Sequence, residues 1–148
     1  KINTRNCSRR IGHIKFETTG YNMNWLLVAV GGGMGAMLRY GLGLWLVKPQ
    51  FLFPWPTWWV NIIGCLCAGV FFAFSQQYQV LQQETRLFLM VGILGGFTTF
   101  SSFGLETFQL LKQGELSIAI IYVVSSVVVG IIALTIGFYL TQFALAQA

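Results

Sequence analysis

Long apolar runs separated by short polar connections dominate this chain from Trp25 almost to its end. A helix that crosses a bilayer needs about 20 predominantly apolar residues. Four runs reach or approach that length: Trp25–Val47, Thr57–Ser75, Leu87–Gln109 and Ile118–Phe143. The pattern predicts an all-α membrane protein with four transmembrane helices and leaves no room for a soluble domain.

The composition supports the same class. Of the 148 residues, 55% are hydrophobic and 9% are charged, whereas soluble domains carry about a quarter charged residues. The net charge of +5 is concentrated before Met23, and from that residue on the chain has four Lys or Arg against three Glu. Because a nucleic-acid interface needs a basic face, we expect no nucleic-acid partner.

The first 22 residues differ from the rest of the chain. They have no apolar core of the kind found in signal peptides and no amphipathic period. Met23 opens the apolar pattern. We therefore expect residues 1–22 to be an unstructured N-terminal extension of non-native or upstream origin, and residues 23–148 to form the four-helix transmembrane domain.

The charges of the short loops predict how the helices insert. Lys and Arg in short loops determine membrane orientation. Without the extension, Arg86 lies on one side of the membrane, and Lys48 and Lys112 lie on the other. This near balance predicts insertion in both orientations and an antiparallel dual-topology homodimer.

The first span contains small residues and one cation. Gly31 and Gly35 have the four-residue spacing that lets membrane helices approach closely, which favours a packing role. Arg39 is costly at depth in a bilayer and is therefore a functional candidate. Its alternative role is to extend its charged end to the membrane interface.

The second span contains one carboxamide and two thiols. Asn61 either bonds to a neighbouring helix or lines a polar path, and its sequence context favours neither. Cys65 and Cys67 fall on different faces of a helix. We interpret them as small packing residues and expect neither a disulfide nor a metal site.

The third span combines glycine, threonine and serine at mid-membrane depth, between Gly92 and Gly104. Glycine and β-branched residues disfavour helix, so the pattern predicts a break at Gly95–Thr99. Backbone groups released in a membrane must be satisfied by protein, an ion or a water-lined cavity. The alternative is a kinked packing helix in which hydroxyls bond back to the preceding turn.

Three motifs together resemble the small bacterial fluoride channels of the Fluc/CrcB family. They are the glycine-rich stretch Gly32–Tyr40, the pattern Asn61-x-x-Gly-Cys, and the segment Gly95–Phe103. The last is the most specific, and the match extends from about Trp25 to Phe143. Ser102 departs from the usual threonine of the family and keeps the hydroxyl.

The resemblance implies an antiparallel homodimer with two fluoride pores in the bacterial inner membrane, where it exports fluoride and lowers its cytoplasmic concentration. It also implies a structural sodium ion, bound at the dimer centre by the backbone carbonyls of Gly95 and Thr98 from both subunits. Arg39, as the charged residue of the first span, joins the pore positions that the motifs imply. The pore set is Arg39, Asn61, Thr99, Phe100, Ser102, Phe103, Tyr122 and Ser126.

Amide and hydroxyl donors, with the electropositive edges of phenylalanine rings, suit a small hydrated anion. Glu106 has no acid–base partner in the pattern, so we expect no enzyme. One alternative is a proton-coupled four-helix exporter of the small-multidrug type. Such an exporter would require a carboxylate in the first span, and this span has none. A membrane assembly subunit or thiol enzyme using Cys65 and Cys67 is another.

Overall fold

The computed structural model describes the backbone of residues 5–46, 52–77 and 83–147, with side chains for 22–46, 52–77 and 84–147. Every regular element within these ranges is helical. In chain order the elements are α1 Arg5–Leu46, α2 Trp55–Gln77, α3 Gln83–Arg86, a π-helix Leu87–Leu94, α4 Gly95–Phe97, α5 Phe100–Lys112 and α6 Leu116–Ala146.

Four segments are long and apolar enough to cross a membrane. They are Asn22–Leu46, Trp55–Gln77, Glu84–Lys112 and Leu116–Ala146. The sequence prediction of four spans is confirmed, and the chain is a multi-pass membrane protein. Lys48, one of the loop cations on which the predicted orientation depends, lies outside the described residues.

The first helix begins well before its apolar part. Its backbone is helical from Arg5, where the sequence predicted an unstructured extension up to residue 22. A helix formed in the apolar span propagates upstream at little cost, because nucleation has already occurred and no proline interrupts residues 5–22. The assignment of residues 1–22 to a separate segment stays a prediction.

The helices pack in two pairs, with α2 along α6 and α1 along the π-helix and α4. Glycine permits the second contact. A Cβ at Gly31 would lie 2.7 Å from the carbonyl oxygen of Phe88, and a Cβ at Gly35 would collide with the carbonyl oxygen of Ile93. The packing role predicted from the spacing of these glycines is confirmed, and it fixes the third span against α1.

The third span changes its backbone geometry near its midpoint. The π-helix and α4 end at Phe97, and α5 begins at Phe100. Between them, Thr98 has φ −78° and ψ 154°, and Thr99 has φ −148° and ψ 116°, both extended. The two extended residues lie at the end of the segment Gly95–Thr99 in which the sequence placed a break.

Candidate functional site

The carboxamide of Asn61 on α2 bonds to the backbone of Thr99 in both directions. The Thr99 N–H donates to Asn61 Oδ1 at 3.0 Å, and Asn61 Nδ2 donates to the Thr99 carbonyl at 3.5 Å. Of the two roles that the sequence left open for Asn61, the structure gives it the bond to a neighbouring span. One hydrogen on Nδ2 satisfies that contact, so the second remains for another partner.

The hydroxyl of Thr99 starts helix α5. Thr99 Oγ1 accepts from the Ser102 N–H at 3.2 Å and contacts the Ser101 and Ser102 hydroxyls, each at 3.2 Å. A threonine that accepts from an amide in the first turn is a favourable N-cap. The Thr-Thr-Phe-Ser-Ser run therefore ends one helix and begins the next within two residues.

A cavity of about 440 Å³, which we call the aromatic cavity, opens beside this non-helical pair. Phe100 is 85% exposed at its rim, while Phe103 is half-buried. The residues that line the aromatic cavity are Asn61, Gly64, Cys65, Ala68, Met90, Leu94, Gly95, Thr98, Thr99, Phe100, Phe103, Ser126 and Val127. Five of the eight predicted pore residues, and both predicted sodium ligands, are therefore in one place.

A second cavity of about 300 Å³, the arginine cavity, lies on the α1 side of the same segment. Arg39, Thr57, Thr99 and Ser102 are among its lining residues. Thr99 lines both this cavity and the aromatic cavity. The side chain of Thr99, which is only 7% exposed, thus stands between two openings of the subunit.

Glu106 on α5 is held by two hydroxyls from other helices. Thr57 Oγ1 donates to Oε1 at 2.6 Å, and the Tyr122 hydroxyl donates to Oε2 at 2.7 Å. Glu106, which has no partner in the sequence pattern, therefore has two hydrogen-bond partners in the structure. The partners lie 49 and 16 residues away in sequence, beyond any local pattern. An ionisable residue inside a span is by itself a functional signal, and that signal would have found Glu106.

Glu106 also lines a third cavity of about 250 Å³, the glutamate cavity, with Trp55, Gln109 and Gln113 among its walls. The carboxylate is therefore reached from the end of the bundle where α2 begins and α5 ends. Its two hydrogen bonds, at 2.6 and 2.7 Å, join it to α2 and α6.

Tyr122 lies behind the aromatic cavity and is completely buried. Its ring centre is 5.1 Å from that of Phe103 and 5.4 Å from that of Phe53. Tyr122 does not line the aromatic or the arginine cavity. Among the predicted pore residues it alone is separated from both cavities, by the ring of Phe103 on one side.

The predicted donors differ in whether their hydrogens are already engaged. The Tyr122 hydroxyl donates to Glu106, and the Ser126 hydroxyl donates to the Tyr122 carbonyl at 2.6 Å. Thr99 donates to Ser102. Because each hydroxyl has a single hydrogen, the donors left for an anion at this site are Ser102 and the second amide hydrogen of Asn61.

The residues predicted to bind sodium have the right chemistry for it. The Thr98 hydroxyl is engaged, since it donates to the Leu94 carbonyl at 2.8 Å, so Thr98 offers its backbone carbonyl. The carbonyl of Gly95 does not receive the N–H of Thr99, which donates to Asn61 instead. Both residues line the aromatic cavity, and carbonyls released where a membrane helix is interrupted suit small monovalent cations.

The two cysteines of α2 are free thiols. Cys65 lines the aromatic cavity. Within the part of the chain that the structure describes, no three His, Cys, Asp or Glu side chains group together.

The fold and the site define a small multi-pass membrane protein with polar groups gathered at the middle of its third span. A family model described as "CrcB-like protein, Camphor Resistance (CrcB)" matches residues 26–138. The chain belongs to the CrcB family, as its motifs predicted.

Curated relatives carry a more specific name. The chain is 47% identical over 116 residues to a protein of Chloroflexus aurantiacus, covering 77% of this chain and 91% of the relative. It is 44% identical over 119 residues to one of Methylobacillus flagellatus (79% and 93%) and 44% identical over 117 residues to one of Thermus thermophilus (78% and 91%). All three are named "Fluoride-specific ion channel FluC".

Proposed function

We propose that this protein is a fluoride-selective ion channel of the bacterial inner membrane, which lets fluoride leave the cytoplasm and so lowers its concentration there. The observation that carries the proposal is the position of Thr99, which is bonded to Asn61 and lines two cavities at once. The names of the relatives, which match over nine-tenths of their own length, supply the ion.

The proposed path for the anion runs from the arginine cavity, past Thr99 and Ser102, to the aromatic cavity. Arg39 raises the local concentration of anions where the path begins, because a positive charge beside low-dielectric walls focuses the field. The path then passes the side chains of Asn61 and Phe100.

Selectivity follows from the donors along this path. Fluoride is small and strongly hydrated, so its water must be replaced by hydrogen-bond donors that still release it. The free hydrogens of Asn61 and Ser102 are neutral donors, and the edges of Phe100 and Phe103 are weakly electropositive. Successive weak contacts allow conduction, whereas a cation within the narrow path would trap the ion.

The protein acts as an antiparallel homodimer with two pores. The aromatic cavity exposes Asn61 and the backbone of Gly95 on an open face near the middle of the third span. Hydrocarbon cannot satisfy such groups, so non-helical backbone at this depth must be covered by protein or water. A second copy, inserted in the opposite orientation, covers this face and repeats the path.

A structural sodium ion binds at the dimer centre. The carbonyls of Gly95 and Thr98 from both subunits are its ligands, and the ion supplies positive charge to carbonyl dipoles that lipid leaves unsatisfied. Neutral oxygens without a carboxylate suit sodium better than calcium, which takes six to eight oxygen ligands with acidic ones among them.

The test is ion efflux from sealed liposomes that contain the purified protein. We expect fluoride to leave protein-containing liposomes when a potassium ionophore balances the charge, while chloride stays inside. Equal release of both anions, or no release, would contradict the proposal. A proton-coupled exporter would require a proton gradient for release, which the channel does not.

A further inference from the structure

We propose that Asn61 is the positioning residue that holds the third span open and keeps the Gly95 carbonyl available for the cation. This inference rests on the proposed sodium site and adds a second task to a residue that the family resemblance implies only as a pore donor. The observation behind it is the pair of hydrogen bonds between the Asn61 carboxamide and the Thr99 backbone.

The hydrogen bonds of the third span show what Asn61 replaces. In a continuous α-helix each N–H donates to the carbonyl four residues earlier, so the N–H of Thr99 would bond to Gly95. The Asn61 Oδ1 receives this N–H at 3.0 Å instead. Thr98, one residue earlier, still follows the helical rule, since its N–H donates to the Leu94 carbonyl at 3.0 Å. The α-helical bond that would close the segment at Thr99 is therefore replaced by the bond to Asn61.

Helix α2 holds both extended residues from one face. Gly64 is three residues after Asn61, and residues at this spacing share a face of a helix. A Cβ at Gly64 would collide with the methyl group of Thr98. Asn61 thus bonds to Thr99 while the bare backbone at Gly64 accommodates Thr98, and α2 fixes the two residues at adjacent points.

The consequence reaches the cation through Gly95. A carbonyl that an N–H already occupies is a weaker ligand, and a helical Thr99 would both occupy the Gly95 carbonyl and turn the Thr98 carbonyl along the helix axis. Without Asn61, the acceptor that a continuous helix offers to the Thr99 N–H is the Gly95 carbonyl, four residues earlier. We infer that removing the carboxamide favours the closed helix and weakens sodium binding, besides removing a pore donor.

The experiment measures sodium-dependent stability of the full-length protein in detergent, so that its readout is independent of fluoride flux. The melting temperature is followed while sodium chloride replaces N-methyl-D-glucamine chloride at constant ionic strength. The wild-type protein is compared with Asn61→Ala, Asn61→Asp and Ser126→Ala. Asp keeps an acceptor for the Thr99 N–H, and Ser126 lines the same cavity while its hydroxyl donates to the Tyr122 carbonyl.

We expect the sodium concentration at half-maximal stabilisation to rise about tenfold in Asn61→Ala, the equivalent of one lost buried hydrogen bond. It should stay within about threefold of wild type in Asn61→Asp and Ser126→Ala. Fluoride flux should nevertheless fall in Asn61→Asp, because its carboxylate repels the anion. This variant therefore separates the positioning role from the pore role.

Several results would overturn the inference. A wild-type sodium midpoint in Asn61→Ala, or a rise in the midpoint of Asn61→Asp as large as in Asn61→Ala, would show that Asn61 does not position the sodium ligands. Either result would leave the proposed sodium site itself standing. A wild-type protein whose stability ignores sodium would overturn the sodium proposal itself. If Asn61→Ala does not fold, amide hydrogen exchange decides: the Thr99 amide of the sodium-bound wild type should be protected, and free exchange there would refute the bond to Asn61.

Discussion

The hydroxyl of Tyr122 donates to the carboxylate of Glu106 at 2.7 Å, and this tyrosine is completely buried. Thr57 donates to the other oxygen of the same carboxylate. One side chain of α5 thereby joins α2 and α6 behind the aromatic cavity. While this contact persists, the single hydrogen of Tyr122 is not available to a passing anion.

The contact between Glu106 and Tyr122 should be measurable by a double-mutant cycle. We expect Glu106→Ala to lower the free energy of unfolding by about 2–4 kcal/mol, since it leaves two hydroxyls unpaired. Tyr122→Phe should cost about 1–2 kcal/mol. The two changes together should cost at least about 0.5 kcal/mol less than their sum. Strict additivity would show that the two side chains do not interact.

Phe100 should matter for fluoride flux and little for the fold of a subunit. It is 85% exposed, so Phe100→Ile should change the unfolding free energy of the subunit by no more than about 0.5 kcal/mol. Loss of the electropositive ring edge should reduce fluoride flux about tenfold.

The matched control for Phe100 is Phe108→Ile, which changes an exposed phenylalanine of the same helix that does not line the aromatic cavity. Wild-type flux from Phe100→Ile, or an equal loss from Phe108→Ile, would contradict the role of the ring edge.

Arg39 should act through its charge. We expect Arg39→Gln to reduce fluoride flux about tenfold at low ionic strength and much less at high salt, because screening shortens the reach of a charge. Arg39→Lys should keep most of the flux. Lys112→Gln, which removes an exposed cation at the end of α5, is the control. A loss that does not depend on salt would point to a packing role for Arg39.

The two neighbouring glycines of α4 should separate packing within a subunit from contact between subunits. A Cβ at Gly96 would collide with the carbonyl oxygen of Gly32, whereas a Cβ at Gly95 would meet its nearest atom, the carbonyl oxygen of Met90, at 3.8 Å. Gly96→Ala should therefore destabilise the subunit itself. Gly95→Leu should leave the subunit folded but weaken the dimer, as measured by cross-linking in membranes. Full dimer formation by Gly95→Leu would contradict the proposed interface.

The spans could be predicted because the signal for each one lies within a single continuous segment of the sequence. A run of about 20 apolar residues determines a membrane helix by itself. The close packing of α1 was predictable for the same reason, since Gly31 and Gly35 carry their spacing within one helix.

The site was less predictable, because its contacts join residues that are distant in sequence. The sequence placed Asn61 and Thr99 in different spans and could not tell that one would bond to the other across 38 residues. The partners of Glu106 could not be predicted from the sequence, because Thr57 and Tyr122 belong to other helices. Which hydroxyls have a free hydrogen depends on rotamers that only tertiary packing determines.

The most direct test of the account is the reversal potential of the current through the protein in a planar bilayer. Fluoride is present at a tenfold gradient, with opposing gradients of chloride and protons. A fluoride-selective channel predicts a current that reverses about 59 mV from zero, at the equilibrium potential of fluoride, at 25 °C. Reversal at the potential set by chloride or by protons, or the absence of any current, would contradict the account.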